Sequence, residues 1–155
     1  MQNALRQFTA TGGSVLVSGS YVGSDLWDNA AGNNDVQGQA FVKEVLGYEW
    51  LNGRASLDGT LTTVDCPEKA LAAEGSWEFV NKLNDRQYAV ESPDAIRASD
   101  SRGFTWMRYA ENGLPAGIAS DRGGYRTVVL GFPIEAMTYA SERTNLLQRI
   151  LDYLK

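Results

Sequence analysis

The chain has 155 residues, of which 43% are hydrophobic and 21% charged, and its formal net charge is −5. This length supports one hydrophobic core, so we predict a single domain over 1–155. No apolar stretch approaches the roughly 20 residues that span a bilayer, and no Lys/Arg cluster is present to neutralise a phosphate backbone. We therefore expect neither membrane insertion nor a nucleic-acid partner.

The chain contains no histidine and a single cysteine, Cys66. Histidine is the usual general base near neutral pH and the commonest metal ligand, so its absence excludes Ser-His-Asp and Cys-His-Asp triads and most zinc sites. Cys66 lies in a Cys-Pro loop and is interpreted as a buried structural thiol. We expect no cofactor and no metal.

The first half of the chain alternates helical and extended patterns. The run Val15-Leu16-Val17 is apolar without alternation, which is typical of a strand covered on both faces. Asp35 is placed to cap a following helix. In chain order the patterns predict a helix over 4–10, a strand over 14–18, a polar loop over 24–34, a helix over 35–46, and strands over 48–56 and 60–64.

The second half is richer in strand patterns. Asn112-Gly113 and Arg122-Gly123-Gly124 are hairpin-type turns. In chain order the patterns predict a short helix over 77–83, a short strand over 88–90, a turn at 92–94, strands over 104–109, 116–120 and 125–131, and an amphipathic helix from Ser141 as N-cap.

Gly19-Ser20-Tyr21-Val22-Gly23, called the bend below, follows the first predicted strand. A strand-to-helix bend with glycines two residues either side of one side chain is where many α/β enzymes hold a nucleophile. The central residue here is Tyr21, a phenol with an ordinary pKa of about 10. With no histidine to take its proton, it is a poor nucleophile at neutral pH.

Three segments carry a resemblance to a known family: GGSVLVSGSYVGSDL (12–26), SPDAI (92–96) and VVLGFPIEAM (129–137). The bend resembles the G-x-C-x-G elbow of the class I glutamine amidotransferase-like superfamily, and Phe132-Pro133-Ile134-Glu135 resembles its F-H-P-E signature. The combination is most similar to the domain of this kind near the C-terminus of large secreted bacterial proteins described as xanthan lyases.

The resemblance implies an α/β fold of flavodoxin type. We therefore expect a layered, mainly parallel sheet with flanking helices and an antiparallel extension over 104–131. Since about a dozen residues precede the elbow strand, the N-terminal part of the family's domain is expected to be absent. The strand over 14–18 would then have an open edge, covered by a rearranged element, by another copy of the chain or by a missing upstream segment.

The carry-over of catalytic residues is incomplete. The family's cysteine falls on Tyr21 and its histidine on Pro133 or Phe132, and only Glu135 matches its acid. The resemblance thus implies a degenerate, non-catalytic structural or interaction module. It also implies an extracytoplasmic, polysaccharide-associated parent protein, whose other domains would be partners.

Two alternatives concern glycans. Glu135 with Asp25 or Asp28, or with Tyr21, would suit a glycan lyase or hydrolase, which needs no histidine; otherwise these carboxylates are loop or helix-cap residues. Carbohydrate contact through Ser20, Tyr21 and Trp27 is the second alternative, because aromatic faces stack on pyranose rings. Trp106 is expected in the core, whereas Trp50 and Trp77 are undecided.

Two further alternatives have less support. A serine hydrolase using Ser18 or Ser20 lacks both the G-x-S-x-G pattern and a histidine base. A metal site at Asp25, Asp28 and Asp35 lacks the alternate-ligand spacing and terminal glutamate of a calcium loop.

Overall fold

A computed structural model describes residues 1–83 and 87–155 of the chain. Within them, the α-helices are α1 (Gln2–Ala10), α2 (Ser24–Trp27), α3 (Val36–Phe41), α4 (Lys69–Ala72) and α5 (Ala140–Leu154). Short 3-10 turns occupy Asn29–Ala31 and Ile134–Ala136, and a π-helical turn, Val42–Leu46, continues α3. The strands are β1 (Val15–Ser18), β2 (Tyr48–Asn52), β3 (Thr60–Thr63), β4 (Ser76–Glu78), β5 (Ala95–Ala98), β6 (Gly103–Tyr109), β7 (Pro115–Asp121) and β8 (Arg126–Leu130).

Six of these strands form one sheet in the order β1-β8-β7-β6-β3-β4, and β2 and β5 form a separate antiparallel pair. Within the larger sheet, β1 and β8 run parallel, with Val15 opposite Thr127 and Ser18 opposite Leu130. Its four other neighbouring pairs are antiparallel. The sheet is therefore mixed and dominated by antiparallel pairing.

The expectation of a layered, mainly parallel, flavodoxin-type α/β sheet with flanking helices is wrong: the sheet is curled and rich in antiparallel strands. Gly113 and Gly123 adopt φ values of 73° and 83° in the short turns that join β6 to β7 and β7 to β8. Such short connections cannot join parallel strands, which need a crossover of a dozen or more residues. The predicted antiparallel extension over 104–131 therefore forms the middle of the sheet.

β1 lies at an edge of the sheet. Only Val15 is buried in this strand, and Leu16, Val17 and Ser18 are partly exposed. Among the described residues, β1 pairs with β8 alone. The unalternating apolar run thus belongs to a half-covered edge strand, and an apolar groove of about 540 Å³ lies beside it, lined in part by Leu5, Val15, Val17 and Phe41.

The core lies on both faces of the larger sheet. Along β8, Val128 and Leu130 belong to one apolar cluster and Val129 to the other, because successive side chains point to opposite faces. α5 packs in the first cluster, whereas α3, its π-helical continuation and the β2–β5 pair contribute to the second. Trp106 is fully buried, as predicted.

Several local predictions need correction. The predicted loop over 24–34 contains α2 and a 3-10 turn, and the predicted helix over 77–83 is wrong because Ser76–Glu78 pairs with β3 as a strand. Residues 88–90 are not a regular strand, although the Val90 N–H donates to the Val80 carbonyl at 2.8 Å.

α5 begins at Ala140, with Tyr139 rather than Ser141 at its N-cap. The Asp35 cap is confirmed, since its carboxylate accepts from the Gly38 N–H at 2.9 Å.

None of the helices within 1–83 and 87–155 has the length and apolar character needed to cross a bilayer.

Candidate binding site at the bend

The bend joins the end of β1 to the start of α2, where the sequence predicts a polar loop. At its apex Tyr21 has φ 61°, in the left-handed region that bulky residues rarely adopt. Its side chain is 47% exposed. A backbone held in this region costs on the order of 1–3 kcal/mol, so the surrounding contacts must fix it.

The contact that fixes the bend is the carboxylate of Asp94, the residue before β5. Its Oδ2 atom accepts hydrogen bonds from the backbone N–H groups of Gly23 at 2.7 Å and Ser24 at 3.0 Å, and from the Ser24 hydroxyl at 3.3 Å. Its Oδ1 atom accepts from Trp50 Nε1 at 3.1 Å. Both carboxylate oxygens are thus held by neutral donors from the bend, from α2 and from β2.

Asp94 is completely buried. Burial raises the pKa of its carboxyl group above the ordinary value, although the hydrogen bonds from Ser24, Gly23 and Trp50 oppose the rise. Its backbone is also fixed, because its N–H donates to the Gly131 carbonyl and its own carbonyl accepts from the Tyr109 hydroxyl, each at 2.7 Å. Burial likewise raises the pKa of Tyr109.

Sequence reasoning missed the role of Asp94. It placed this residue only in a turn over 92–94 and in the SPDAI segment of the family resemblance. The segment was the one available indication, because nothing in the local pattern shows that a turn carboxylate will be buried against residues 70 positions earlier.

A cavity of about 310 Å³ opens beside the bend, and we call it the Trp50 cavity. Trp50 forms part of its wall and also packs on the bend, since a Cβ at Gly23 would lie 2.7 Å from the indole Cδ1. Arg54, which with Tyr21 makes up the non-glycine residues of positive φ within 1–83 and 87–155 (50° for Arg54), lies on the same cavity. Its full lining is Tyr21, Ser24, Asp25, Asp28, Ala31, Asn33, Trp50, Asn52, Gly53, Arg54 and Ser92.

A second cavity of about 350 Å³, the Glu135 cavity, also reaches the bend. In it, the Tyr88 hydroxyl donates to Glu135 Oε1 at 2.9 Å, and burial together with this carboxylate raises the pKa of Tyr88 to about 12. The Ser18 hydroxyl fixes the nearby loop, donating to the Phe132 carbonyl at 3.0 Å and accepting from the Ile134 N–H at 2.7 Å. The lining is Gly19, Ser20, Tyr21, Tyr88, Ala89, Glu91, Pro133 and Glu135.

The structure separates the two carboxylates of the glycan-enzyme alternative. Asp25 lines the Trp50 cavity, Glu135 lines the other cavity, and Tyr21 contributes to both. Ser20 lies on the Glu135 cavity. Trp27 lines neither; its ring centroid lies 6.4 Å from that of Tyr48, and it packs against the second apolar cluster.

The other acidic candidates have local roles. Asp28 Oδ1 accepts from the N–H groups of Ala30 and Ala31, so it caps the 3-10 turn as Asp35 caps α3. In the part of the chain that the structure describes, no group of three acidic or thiol side chains is placed to hold a metal ion. Cys66 is partly buried, its thiol contacts the Glu68 carbonyl, and burial raises its pKa.

No protein-family model matches the chain, and no curated protein matches it either. Solved structures do share its fold. The chain is similar to the mmIFT52 N-terminal domain (11% identity, 98% of this chain and 69% of that one, TM-score 0.62) and to a β-galactosidase from Rahnella sp. R3 (14% identity, 98% and 20%, TM-score 0.61). It is also similar to a cytoplasmic protein from Salmonella typhimurium LT2 (14% identity, 98% and 60%, TM-score 0.65).

At such low identity the likeness concerns the fold alone. The chain spans about a fifth of the β-galactosidase and less than two thirds of the Salmonella protein. None of these three proteins is described as an amidotransferase or a xanthan lyase.

Proposed function

We propose that this chain is a non-catalytic binding module of an extracytoplasmic, polysaccharide-associated bacterial protein, and that it contacts saccharide at the bend. The other domains of that larger protein would be its partners. The activity resides elsewhere in the larger protein, and this module holds the glycan or another domain in place.

The observation that carries the proposal is that the carboxyl group of Asp94 is buried and fully hydrogen-bonded within the protein. Its two carboxylate oxygens are already occupied by donors of the bend, α2 and Trp50, and it is fully buried, so it is not free to move protons on a ligand. The apex of the bend holds a phenol in a chain without histidine. We infer that the buried carboxyl group shapes a surface rather than activating a nucleophile.

The Trp50 cavity has the chemistry of a saccharide site. An indole wall can meet the C–H face of a sugar ring, and the planar side chains of Asn33, Asn52 and Arg54 offer amide donors and acceptors and guanidinium donors to ring hydroxyls. A related fold within a β-galactosidase is compatible with service in a carbohydrate-active protein. That likeness concerns the fold alone, and the cavity is what supports the ligand class.

The test is binding of neutral and acidic bacterial polysaccharides by affinity electrophoresis and tryptophan fluorescence. We expect retarded migration that is lost in Trp50→Ala. Trp27→Ala is the matched control, because Trp27 is also a partly buried tryptophan but packs against Tyr48. Loss of binding in the Trp27 variant alone would show that saccharide binds outside the Trp50 cavity. Retention of binding in both variants would show that neither tryptophan stacks on the ligand.

The competing proposal is a glycan-active enzyme that uses Glu135 with Asp25 or Tyr21. Reducing ends and the absorbance of unsaturated uronides are followed over long incubations with the same polysaccharides. We expect no turnover. Turnover that disappears in Glu135→Gln would overturn the non-catalytic proposal, even though Glu135 and Asp25 line different cavities.

Self-association through β1 is part of the same proposal. The strand carries no charged residue or proline to protect its edge, and an apolar groove lies beside it. Light scattering of the wild type and of Val17→Lys tests this. A dimer that the lysine converts to a monomer would support edge pairing, and a monomeric wild type would refute it.

A further inference from the structure

The two cavities share a wall. Tyr21 lines both, and the consecutive residues Glu91 and Ser92 line the Glu135 cavity and the Trp50 cavity respectively. Tyr21 is half exposed, its backbone lies in the left-handed region, and it also borders the apolar groove beside β1. The two cavities therefore adjoin at Tyr21, and a ligand longer than one cavity can contact both.

The size of the cavities favours a ligand longer than one ring. Their volumes of about 310 and 350 Å³ each lie at the lower end of the range of roughly 300–1,000 Å³ typical of small-ligand sites. Two adjoining cavities of this size, each with aromatic walls (Trp50 and Tyr21 in one, Tyr88 and Tyr21 in the other), suit successive rings of one chain.

The charge of the lining restricts which chain can bind. Among the residues that the structure describes, the two linings contain the four acidic side chains of Asp25, Asp28, Glu91 and Glu135, and one cationic side chain, that of Arg54. Each of these described linings is therefore negative on balance. A ligand that carries carboxylates would meet repulsion there, whereas amino groups would be attracted.

We propose, building on the saccharide-binding function above, that the site extends across Tyr21 and takes an oligosaccharide of at least two rings that is neutral or bears amino groups. The same lining selects against uronate-containing chains. This specificity differs from what a link to lyases of acidic polysaccharides would imply.

The experiment is calorimetric titration at low ionic strength with three probe series, each from mono- to hexasaccharide: cello-oligosaccharides, chitosan oligosaccharides and oligogalacturonides. We expect affinity to rise about tenfold or more between the mono- and the trisaccharide, as contacts on the second cavity are added. Chitosan oligosaccharides should bind tightest and oligogalacturonides weakest, and added salt should narrow the difference.

Two variants locate the effects. Tyr21→Asn removes the shared aromatic wall with a residue that tolerates a positive φ, and it should abolish the gain with chain length. The double variant Glu91→Gln/Glu135→Gln should strengthen oligogalacturonide binding several-fold. Asp65→Asn/Glu74→Gln, a double variant of two exposed acidic residues outside both cavities, changes the net charge by the same amount and should have no effect.

The outcomes separate the two proposals. Absence of binding to every saccharide removes the proposed function, and the extended site with it. Equal affinity for mono- and hexasaccharides overturns the extended site while leaving the function intact. Tightest binding of oligogalacturonides overturns the charge selection.

Discussion

The buried carboxylate of Asp94 and the buried guanidinium of Arg122 each tie distant segments to the sheet, but they do so with opposite kinds of partner. Asp94 is surrounded by neutral donors from the bend and from Trp50. Arg122, whose side chain is 2% exposed, forms an ion pair with Asp100 at 2.9 Å. It also donates to the carbonyls of Lys43 and Glu44, at 3.3 and 2.5 Å.

The pKa shifts follow from this difference. Hydrogen bonds from Arg102 and then Arg122 hold the pKa of the Asp100 carboxyl well below its usual range. For Asp94, burial without a paired cation raises the pKa. Arg122 and Asp100 therefore compensate each other's charge, whereas the buried carboxyl group of Asp94 is held by neutral donors where it shapes the bend and the Trp50 cavity.

The largest effect is expected where Asp94 meets Gly131. A Cβ at Gly131 would overlap the carbonyl oxygen of Asp94, a backbone atom already held by the Tyr109 hydroxyl. We expect Gly131→Ala to lower the free energy of unfolding by about 3 kcal/mol or more, measured by urea denaturation. Gly124→Ala is the control, because a Cβ there meets no atom within 4 Å. Equal stability of the two variants would show that Asp94 is not fixed in this way.

The second effect is expected at Arg122. Arg122→Met removes the buried charge and leaves the carbonyls of Lys43 and Glu44 without this donor, which we expect to cost about 2–3 kcal/mol of unfolding free energy. Arg102→Met is the matched control, since Arg102 also binds Asp100 but is solvent-exposed. Its loss should be much smaller, and a loss as large as that of Arg122→Met would contradict the assignment.

The third effect is expected at Asp94 itself. Asn has one oxygen and one NH₂ group, so it cannot accept from the bend on one side and from Trp50 on the other. We expect Asp94→Asn to cost about 1–3 kcal/mol by urea denaturation at pH 5. Asp25→Asn, an exposed neighbour on the same cavity, should leave stability almost unchanged.

The effect of Asp94→Asn on the free energy of unfolding should also depend on pH. Because the folded pKa of Asp94 is raised, its contribution to wild-type stability is greatest below the unfolded pKa of about 3.9 and is lost as pH rises through the folded pKa. The stability difference between wild type and Asp94→Asn should therefore shrink as pH rises. For Asp100, whose pKa is lowered, stability is instead lost as pH falls below about 3.9. A wild-type minus Asp94→Asn difference that grows with pH would show that the pKa of Asp94 is lowered.

The smallest effect is expected at Tyr21. Tyr21→Gly and Tyr21→Ala both remove the ring, but only glycine relieves the left-handed backbone, so the glycine variant should be more stable by about 1 kcal/mol. Tyr88 is the control, because it is similarly exposed without a positive φ, and there the alanine variant should be at least as stable. If the glycine and alanine variants had the same order of stability at both positions, backbone strain at Tyr21 would be refuted.

The features that could be predicted from the sequence alone are those set by residues close to one another along the chain. The helix at the N-terminus, the Asp35 cap and the turns at Asn112-Gly113 and Arg122-Gly123-Gly124 all follow from residues within a few positions of each other. The burial of Trp106 was likewise readable from its strand pattern. These features are set by backbone preferences and short-range hydrogen bonds.

The arrangement of these elements around the site depends on contacts between residues that are distant in the sequence. The apolar run of β1 is typical of a strand covered on both faces, whereas the family resemblance predicted an open edge; β1 does lie at an edge, and the β6–β7–β8 hairpins occupy the middle of the sheet. Asp94 reaches Gly23 across 71 residues and Trp50 across 44, and Tyr21 lines two cavities at once. Strand order and long-range contacts depend on the packing of the whole chain, which no local pattern of residues specifies.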